Sequence, residues 1–267
     1  MFMTVAILGA GKLGEALLSG MIRSGHDPDD LFVTARRSER AEELSARHGV
    51  QALSNPIAAA RASVLILTVK PQDMTALVDE IAAVVTPEHL VVSVAAGITT
   101  TYLEQRLAAG TPVVRVMTNT PVLVDEAMSV ISAGVHASED HLRRTEDLLA
   151  PVGKVVRVPE AQQDAVTALS GSGPAYFFYL VESMIDAGIL LGIPRAVAAQ
   201  LLVQTAVGAA VMLRDSGEHP VMLREAVTSP GGTTINAIRE LEKHGVRAAL
   251  LAAIEAARDR SCALASG

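Results

Sequence analysis

The chain has 267 residues, half of them apolar and 19% charged, long enough to bury the core of one large domain or two modest ones. Its 22 basic against 29 acidic residues leave −7 at neutral pH, which argues against a nucleic-acid surface, because phosphate backbones call for clustered Lys and Arg. The single cysteine, Cys262, rules out an internal disulfide and suits a reducing compartment.

Met1–Leu8 carries no basic segment and passes straight into a glycine loop, so it reads as a strand and not as a signal peptide. Thr4–Leu8, Leu31–Thr34, Val64–Thr68, Leu90–Val94, Val113–Met117 and Met128–Ser132 are predicted strands, with Val155–Val158 a late addition. Most are almost continuously apolar, as strands buried on both faces require. Leu13–Ser24, Arg40–His48 and Gln72–Val85 read as crossover helices between them. Alternating β and α elements predict an α/β domain with a doubly wound parallel sheet.

Gly9-Ala10-Gly11-Lys12-Leu13-Gly14 follows the first strand and opens the first helix. In that context Gly9 permits a tight turn, Gly11 admits a pyrophosphate to the backbone, and Gly14 lets helix and strand pack closely. The helix N-terminus adds free N–H groups and the positive end of a dipole. The second strand then runs into Ala35-Arg36-Arg37-Ser38 with no acid at its end. An acid there would hold a ribose 2′-hydroxyl, whereas a guanidinium pair attracts a 2′-phosphate. This favours NADP over NAD, with two solvated surface arginines as the alternative. Thr68-Val69-Lys70-Pro71-Gln72 and Ser93-Val94-Ala95-Ala96-Gly97 close the third and fourth strands, at the carboxyl ends where ligands bind in this architecture.

After Pro159 strand signals stop, and Gln162–Leu169, Ala175–Ala187, Arg195–Ser216, Pro220–Val227, Thr233–Lys243 and Val246–Leu264 read as helices. Pro174 and Pro194 suit first-turn positions, and Gly188 and Gly245 suit positions just past helix ends. Ala196–Leu213 has no charge and approaches the length of a membrane span. Gln200, Gln204 and Thr205 on neighbouring turns favour a buried helix instead. Such a helix must be covered on every side, and the region is too thin to do so, so a partner subunit is expected to complete the burial. Late in the chain, Val227-Thr228-Ser229-Pro230-Gly231-Gly232-Thr233-Thr234 leads into a helix. A Pro-Gly-Gly turn feeding a helix offers backbone N–H groups to a carboxylate. One Ser or Thr would serve for simple capping, and four hydroxyl residues exceed that need.

The Ser229–Thr234 segment resembles the signature of the pyrroline-5-carboxylate reductases. So do Thr68–Gln72, Ser93–Ile98, Arg115-Val116-Met117-Thr118-Asn119-Thr120-Pro121 and Gly171-Ser172-Gly173-Pro174-Ala175-Tyr176, in the family's order along nearly the whole chain. Thr118 stands where many members have proline, and Thr68 where alanine is common. The resemblance implies NAD(P)H-dependent reduction of 1-pyrroline-5-carboxylate to L-proline; with the arginine pair, NADPH is the expected cofactor and NADH a weaker one, and a cytoplasmic location is expected. It implies a Rossmann domain over residues 1–158 and an all-α dimerisation and substrate domain over 159–267. An interlocked homodimer follows, which can assemble into a decamer of five dimers, with neither nucleic acid nor membrane as partner. By position, the cofactor is expected at Leu8, Gly9, Ala10, Gly11, Lys12, Leu13 and Gly14, at Thr34, Arg36, Arg37 and Asn55, and at Thr68, Val69, Lys70, Pro71, Ala95 and Ala96. The imino acid is expected among Val227, Ser229, Gly231, Gly232, Thr233, Thr234 and Lys70, with Thr234 near the ring nitrogen as the catalytic contact.

The chemistry agrees with this set. Hydride delivery to a ketone develops an alkoxide and calls for a general acid, but no lysine lies between Lys154 and Lys243. A protonated imine needs mainly orientation, desolvation and one hydrogen bond to nitrogen. Tyr176 and Tyr179 read as core residues with satisfied hydroxyls, His219 as a loop residue, and the histidines show no metal spacing.

Overall fold

The computed structural model describes residues 3–265, so Met1 and Phe2 of the opening run lie outside the described residues. Eight strands form one sheet: β1 (Val5–Leu8), β2 (Leu31–Val33), β3 (Gln51–Ala52), β4 (Val64–Leu67), β5 (Leu90–Ser93), β6 (Val113–Met117), β7 (Ala127–Ala133) and β8 (Gly153–Arg157). Their order is β3-β2-β1-β4-β5-β6-β7-β8. The first six are parallel in the doubly wound dinucleotide-binding arrangement. The expectation of a parallel sheet fails at one pair, because β7 runs antiparallel to β6. The link between them, residues 118–126, holds only a short 3₁₀ turn at Thr120–Val124. A parallel neighbour would need a longer crossover.

The connections carry α1 (Lys12–Arg23), α2 (Ser38–His48), α3 (Asn55–Arg61), α4 (Met74–Ile81), α5 (Thr100–Glu104) and α6 (Glu139–Leu149). Strand alternation divides the core. Val5 and Ile7 of β1 pack with Leu17, Leu18 and Met21 of α1 on one face, while Ala6 and Leu8 pack with Ala58 of α3 and Leu77 and Ile81 of α4 on the other. Both layers are sealed, and each large apolar side chain so buried contributes about 1.5–3 kcal/mol.

Beyond β8 come α7 (Gln163–Val166), a π-helical turn at Thr167–Gly171, α8 (Gly173–Leu190), α9 (Arg195–Ser216), α10 (Pro220–Ala226), α11 (Thr233–Lys243) and α12 (Val246–Ala265). Packing divides the chain into two compact units, the described parts of Met1–Ser172 with Ala257–Gly267, and Gly173–Ala256. Gly188 does not follow a helix end. It lies inside α8, where an added Cβ would stand 3.0 Å from the Cβ of Ala198, so its smallness lets α8 and α9 cross closely. The left-handed turn falls instead at Gly192, φ +87°. Pro194 caps α9 from outside its first turn.

Within the chain α9 is not a buried helix. Only Ala198 of its residues is buried, although its most apolar window has a mean hydropathy of 1.8 and its length suffices to cross a membrane. Nor are the tyrosines of α8 core residues: Tyr179 is 69% exposed and Tyr176 partly so, beside Phe177 and Phe178 at 69% and 68%. The unit has no second layer of its own to lay over these faces.

Candidate functional site

The first strand delivers its glycine loop to the carboxyl edge of the sheet, where two residues of β4's extension hold it. Gly9 adopts φ +84°, and a Cβ there would meet Val69 Cγ1 at 2.3 Å, so both conformation and space require glycine. A Cβ on Gly14 would stand 3.0 Å from Ile7 Cγ2 and Thr68 Oγ1, which explains the close seat of α1 on the sheet. Thr68 donates through both N and Oγ1 to Leu8 O, at 2.9 and 3.0 Å. Gly11 differs from its neighbours: a Cβ there would meet only Gly9 O, at 4.0 Å. The protein's own packing leaves the space before Gly11 open.

Thr34, at the end of β2, accepts Gly9 N–H on Oγ1 at 2.9 Å and Ala10 N–H on its carbonyl at 2.7 Å. Those amides are engaged. What remains directed outward is the first turn of α1, whose N–H groups have no intrahelical acceptor.

A cleft of about 1050 Å³ opens here, bordered by the loop Gly9–Leu13, by Thr34, Arg36 and Arg37, by Asn55, and by Thr68, Val69 and Lys70. It is of the size that cofactors occupy, roughly 300–1,000 Å³. Most of the expected cofactor residues thus meet on one surface. Leu8 and Gly14 sit behind it, buried, and Pro71 lies outside it. Ala95 and Ala96 follow β5, the strand beyond β4, with Ala95 buried and Ala96 exposed.

Charge around the cleft is unevenly tied up. Arg36 and Arg37 are exposed, and among the described residues no hydrogen bond or ion pair engages the guanidinium of either. Arg40, a turn later, is clamped by Glu15 at 2.5 Å and Glu43 at 2.9 Å. Glu15 also takes Arg47 at 2.5 Å and His48 at 3.1 Å. Burial disfavours its carboxylate, but the hydrogen bonds from Arg40, His48 and Arg47 outweigh that and hold its pKa at about 2. Glu15 and Glu43 are therefore tied to Arg40 and Arg47, and the guanidinium groups of Arg36 and Arg37 are left unpaired on this wall of the cleft. Sequence reading missed this network: the spacing of Arg40, Glu43 and Arg47 signals pairing along α2, but nothing local points to Glu15. It also missed the opposite wall, formed by Gln72, Asp73, Ala76, Leu77 and Glu80, where Glu80 accepts from Asn55 Nδ2 at 2.7 Å.

The late glycine turn belongs to the other unit and is described by itself. Gly231 has φ +65°, and Gly232 is packed so closely that a Cβ would stand 2.3 Å from Ser229 Oγ. Gly232 is the N-cap of α11, which no side chain caps. The hydroxyls of Thr233 and Thr234 are thus not consumed in ending the helix. Thr228 Oγ1 donates to Arg224 O at 2.6 Å, so it serves the end of α10. Ser229 and Val227 are exposed, Thr234 partly so. His219 is the N-cap of α10, accepting from Val221 N–H at 3.3 Å. Among the described residues no group of three or more His, Cys, Asp or Glu is placed to hold a metal.

Comparison with known proteins agrees with both halves of this description. Residues 160–264 match the family model for pyrroline-5-carboxylate reductase dimerisation, and residues 4–97 match that for NADP oxidoreductase coenzyme F420-dependent. The pyrroline-5-carboxylate reductase of Corynebacterium melassecola is 45% identical over 262 residues, 97% of each chain. Among solved structures, a pyrroline-5-carboxylate reductase from Coxiella burnetii superposes with TM-score 0.94 at 34% identity, covering 99% of each chain. The Plasmodium falciparum pyrroline carboxylate reductase with NADP bound gives TM-score 0.87 at 26% identity, over 98% of each. A mixed α/β unit bearing a dinucleotide-type cleft, a helical unit bearing a glycine turn, and these full-length likenesses together place the chain in the pyrroline-5-carboxylate reductase family.

Proposed function

We propose that this chain reduces 1-pyrroline-5-carboxylate to L-proline, with NADPH preferred over NADH. The observation that carries the cofactor assignment is the open space at Gly11, a cradle that a Cβ would fill, in the same cleft as the unpaired Arg36 and Arg37. Bound reduced dinucleotide supplies a hydride to the carbon of the C=N bond. The amides of Lys12 and Leu13 at the N-terminus of α1 receive the pyrophosphate, as a helix dipole and free N–H groups favour. Arg36 and Arg37 take the 2′-phosphate in charge-assisted hydrogen bonds. Thr34, Asn55, Thr68, Val69 and Lys70 line the path between, while Leu8 and Gly14 support it from behind. Ala95 and Ala96 leave room for the nicotinamide ring.

The turn Ser229–Thr234 holds the imino acid. Backbone N–H groups at Gly231, Gly232 and Thr233 grip the carboxylate, Val227 gives an apolar side, and Thr234 accepts a hydrogen bond from the protonated ring nitrogen. Because that nitrogen is already protonated, hydride addition yields a neutral amine, and orientation and exclusion of water are the protein's main tasks. The chain works as a homodimer that can build a decamer, in the cytoplasm. A second copy, and not lipid, covers the apolar faces of α8 and α9, a role supported by the dimerisation family model spanning them and by the polar Gln200, Gln204 and Thr205 on α9.

The test is to follow NADPH absorbance with 1-pyrroline-5-carboxylate and with a panel of small keto acids. Turnover confined to the imine, with a lower KM for NADPH than for NADH, is expected. Turnover only with keto acids, or none at all, would overturn the substrate; a clear NADH preference would overturn the role of Arg36 and Arg37.

A further inference from the structure

The strand β6 carries a charge where its neighbours are apolar. Val113, Val114 and Val116 are fully buried and Arg115 is only 3% exposed. In register, Arg115 stands between Ser93 of β5 and Ser132 of β7, so the three side chains form a polar row on one face of the sheet. An apolar residue would fit this site at less cost, since a buried guanidinium is tolerated only when paired. Arg115 Nη1 lies 3.3 Å from Glu160 Oε1, while Nε and Nη2 are buried without a hydrogen-bond partner. The cation therefore depends on Glu160.

Glu160 passes this constraint on. Its Oε1 accepts Thr100 N–H at 2.8 Å and its Oε2 accepts Thr100 Oγ1 at 2.5 Å. Thr100 opens α5 and ends the loop of residues 94–99, which contains Ala95 and Ala96. The start of that loop is tied more loosely, with Ala95 N–H 3.5 Å from Ser93 Oγ.

We propose that Arg115 and Glu160 are positioning residues, which act through Thr100 to fix the β5–α5 loop against which the nicotinamide is held. The inference rests on the reading that Ala95 and Ala96 border that ring. Neither residue touches the reacting atoms. Arg115 orients the Glu160 carboxylate, the carboxylate pins Thr100, and Thr100 sets the far end of the loop. Without the pin the ring would still bind but would sample poses less suited to hydride transfer.

Thr100→Val removes the hydroxyl bond and keeps the side-chain shape, Thr100→Ser keeps the hydroxyl, and Glu160→Gln removes the charge. For each, kcat, the NADPH Kd, the melting temperature and the primary isotope effect with 4-deuterated NADPH are measured. Thr100→Val and Glu160→Gln are expected to lower kcat about tenfold, the scale of a sub-ångström misplacement, with unchanged Kd and a larger isotope effect. Thr100→Ser should turn over like the parent chain. A fall in melting temperature with kcat and isotope effect unaltered would overturn the proposal, as would Thr100→Ser failing as badly as Thr100→Val. Should Glu160→Gln not fold, the two threonine variants decide. Ala96→Phe separates the two levels. If it leaves turnover and the NADPH KM intact, the placement of the ring is wrong; if it cripples them while the Thr100 and Glu160 variants behave like the parent, only the positioning role falls.

Discussion

The sheet unit and the helical unit dispose of their apolar residues differently. In the first, Val5, Ala6, Ile7 and Leu8 have no exposed surface, and both faces of β1 are covered by helices of the same chain. In the second, Phe177, Phe178, Leu190 and Leu191 are each more than two-thirds exposed. One unit is finished by its own sequence. The other leaves many large apolar side chains of α8 and α9 exposed, which is the mark of an interface.

The largest test of that difference is a charge on the exposed face. Val207→Asp on α9 should abolish the homodimer, because an unpaired carboxylate in an apolar interface costs several kcal/mol; light scattering would show a monomer or aggregate. A dimer that survives would mean α9 is covered by something else. The sheet unit should keep its own near-native circular dichroism in this variant.

Within the sheet unit, two glycines of one loop should part company. Gly9→Ala meets both a positive φ and Val69, and is expected to cost about 2–4 kcal/mol of stability, in the range of overpacking combined with backbone strain. Gly11→Ala should leave the melting temperature unchanged yet raise the NADPH KM tenfold or more, since only a ligand competes for that space. Equal loss of stability at both positions would contradict the cradle.

In the helical unit, Thr234→Ala should reduce kcat/KM about tenfold or more, as a hydrogen bond to a charged group contributes roughly 1.5–3 kcal/mol, without altering assembly or NADPH affinity. Unchanged kinetics would remove Thr234 from the reaction.

The smallest effect is one of pH. Glu15 is held at about 2 against an ordinary 4.5, so its contribution to stability is complete above about 4.5 and is lost as pH falls towards 2. Glu15→Gln should be less stable at neutral pH and should lose less on acidification between those values. Parallel acid-unfolding curves would show that the cluster with Arg40, Arg47 and His48 carries no stability.

The sheet unit was the more legible in sequence. Its buried strands are continuous apolar runs, and the glycine loop has a fixed place between strand and helix. What escaped notice there was the two residues of β3, the five of α5, the helices α3 and α6, although Ser138 caps α6 by a local signal, and the reversal at β7, which is fixed by pairing partners distant in sequence. Pairings such as Arg115 with Glu160 or Glu15 with Arg40 follow from three-dimensional approach alone. In the helical unit the helices were visible from periodicity and proline placement, and so was the need of α9 for a partner's cover, but Tyr176 and Tyr179 were read as core and are not buried within the chain. Sequence pattern marks which face must be covered, and does not say by which chain. The unspent hydroxyls of Thr233 and Thr234 were foreseeable from composition around the turn, while the tight seat of Gly232 under Ser229 was not.

One helix belongs to both units. Val246–Ala265 is continuous, yet its last part is counted with the sheet unit, where Ser261 Oγ donates to Asp164 at 2.7 Å. The nucleotide-binding portion is therefore not closed until residues near position 261 have been made, well after the ribosome has released its last strand. Trimming the chain before Ala257 would remove the bond to Asp164, and so would be felt in the sheet unit as well as among the helices.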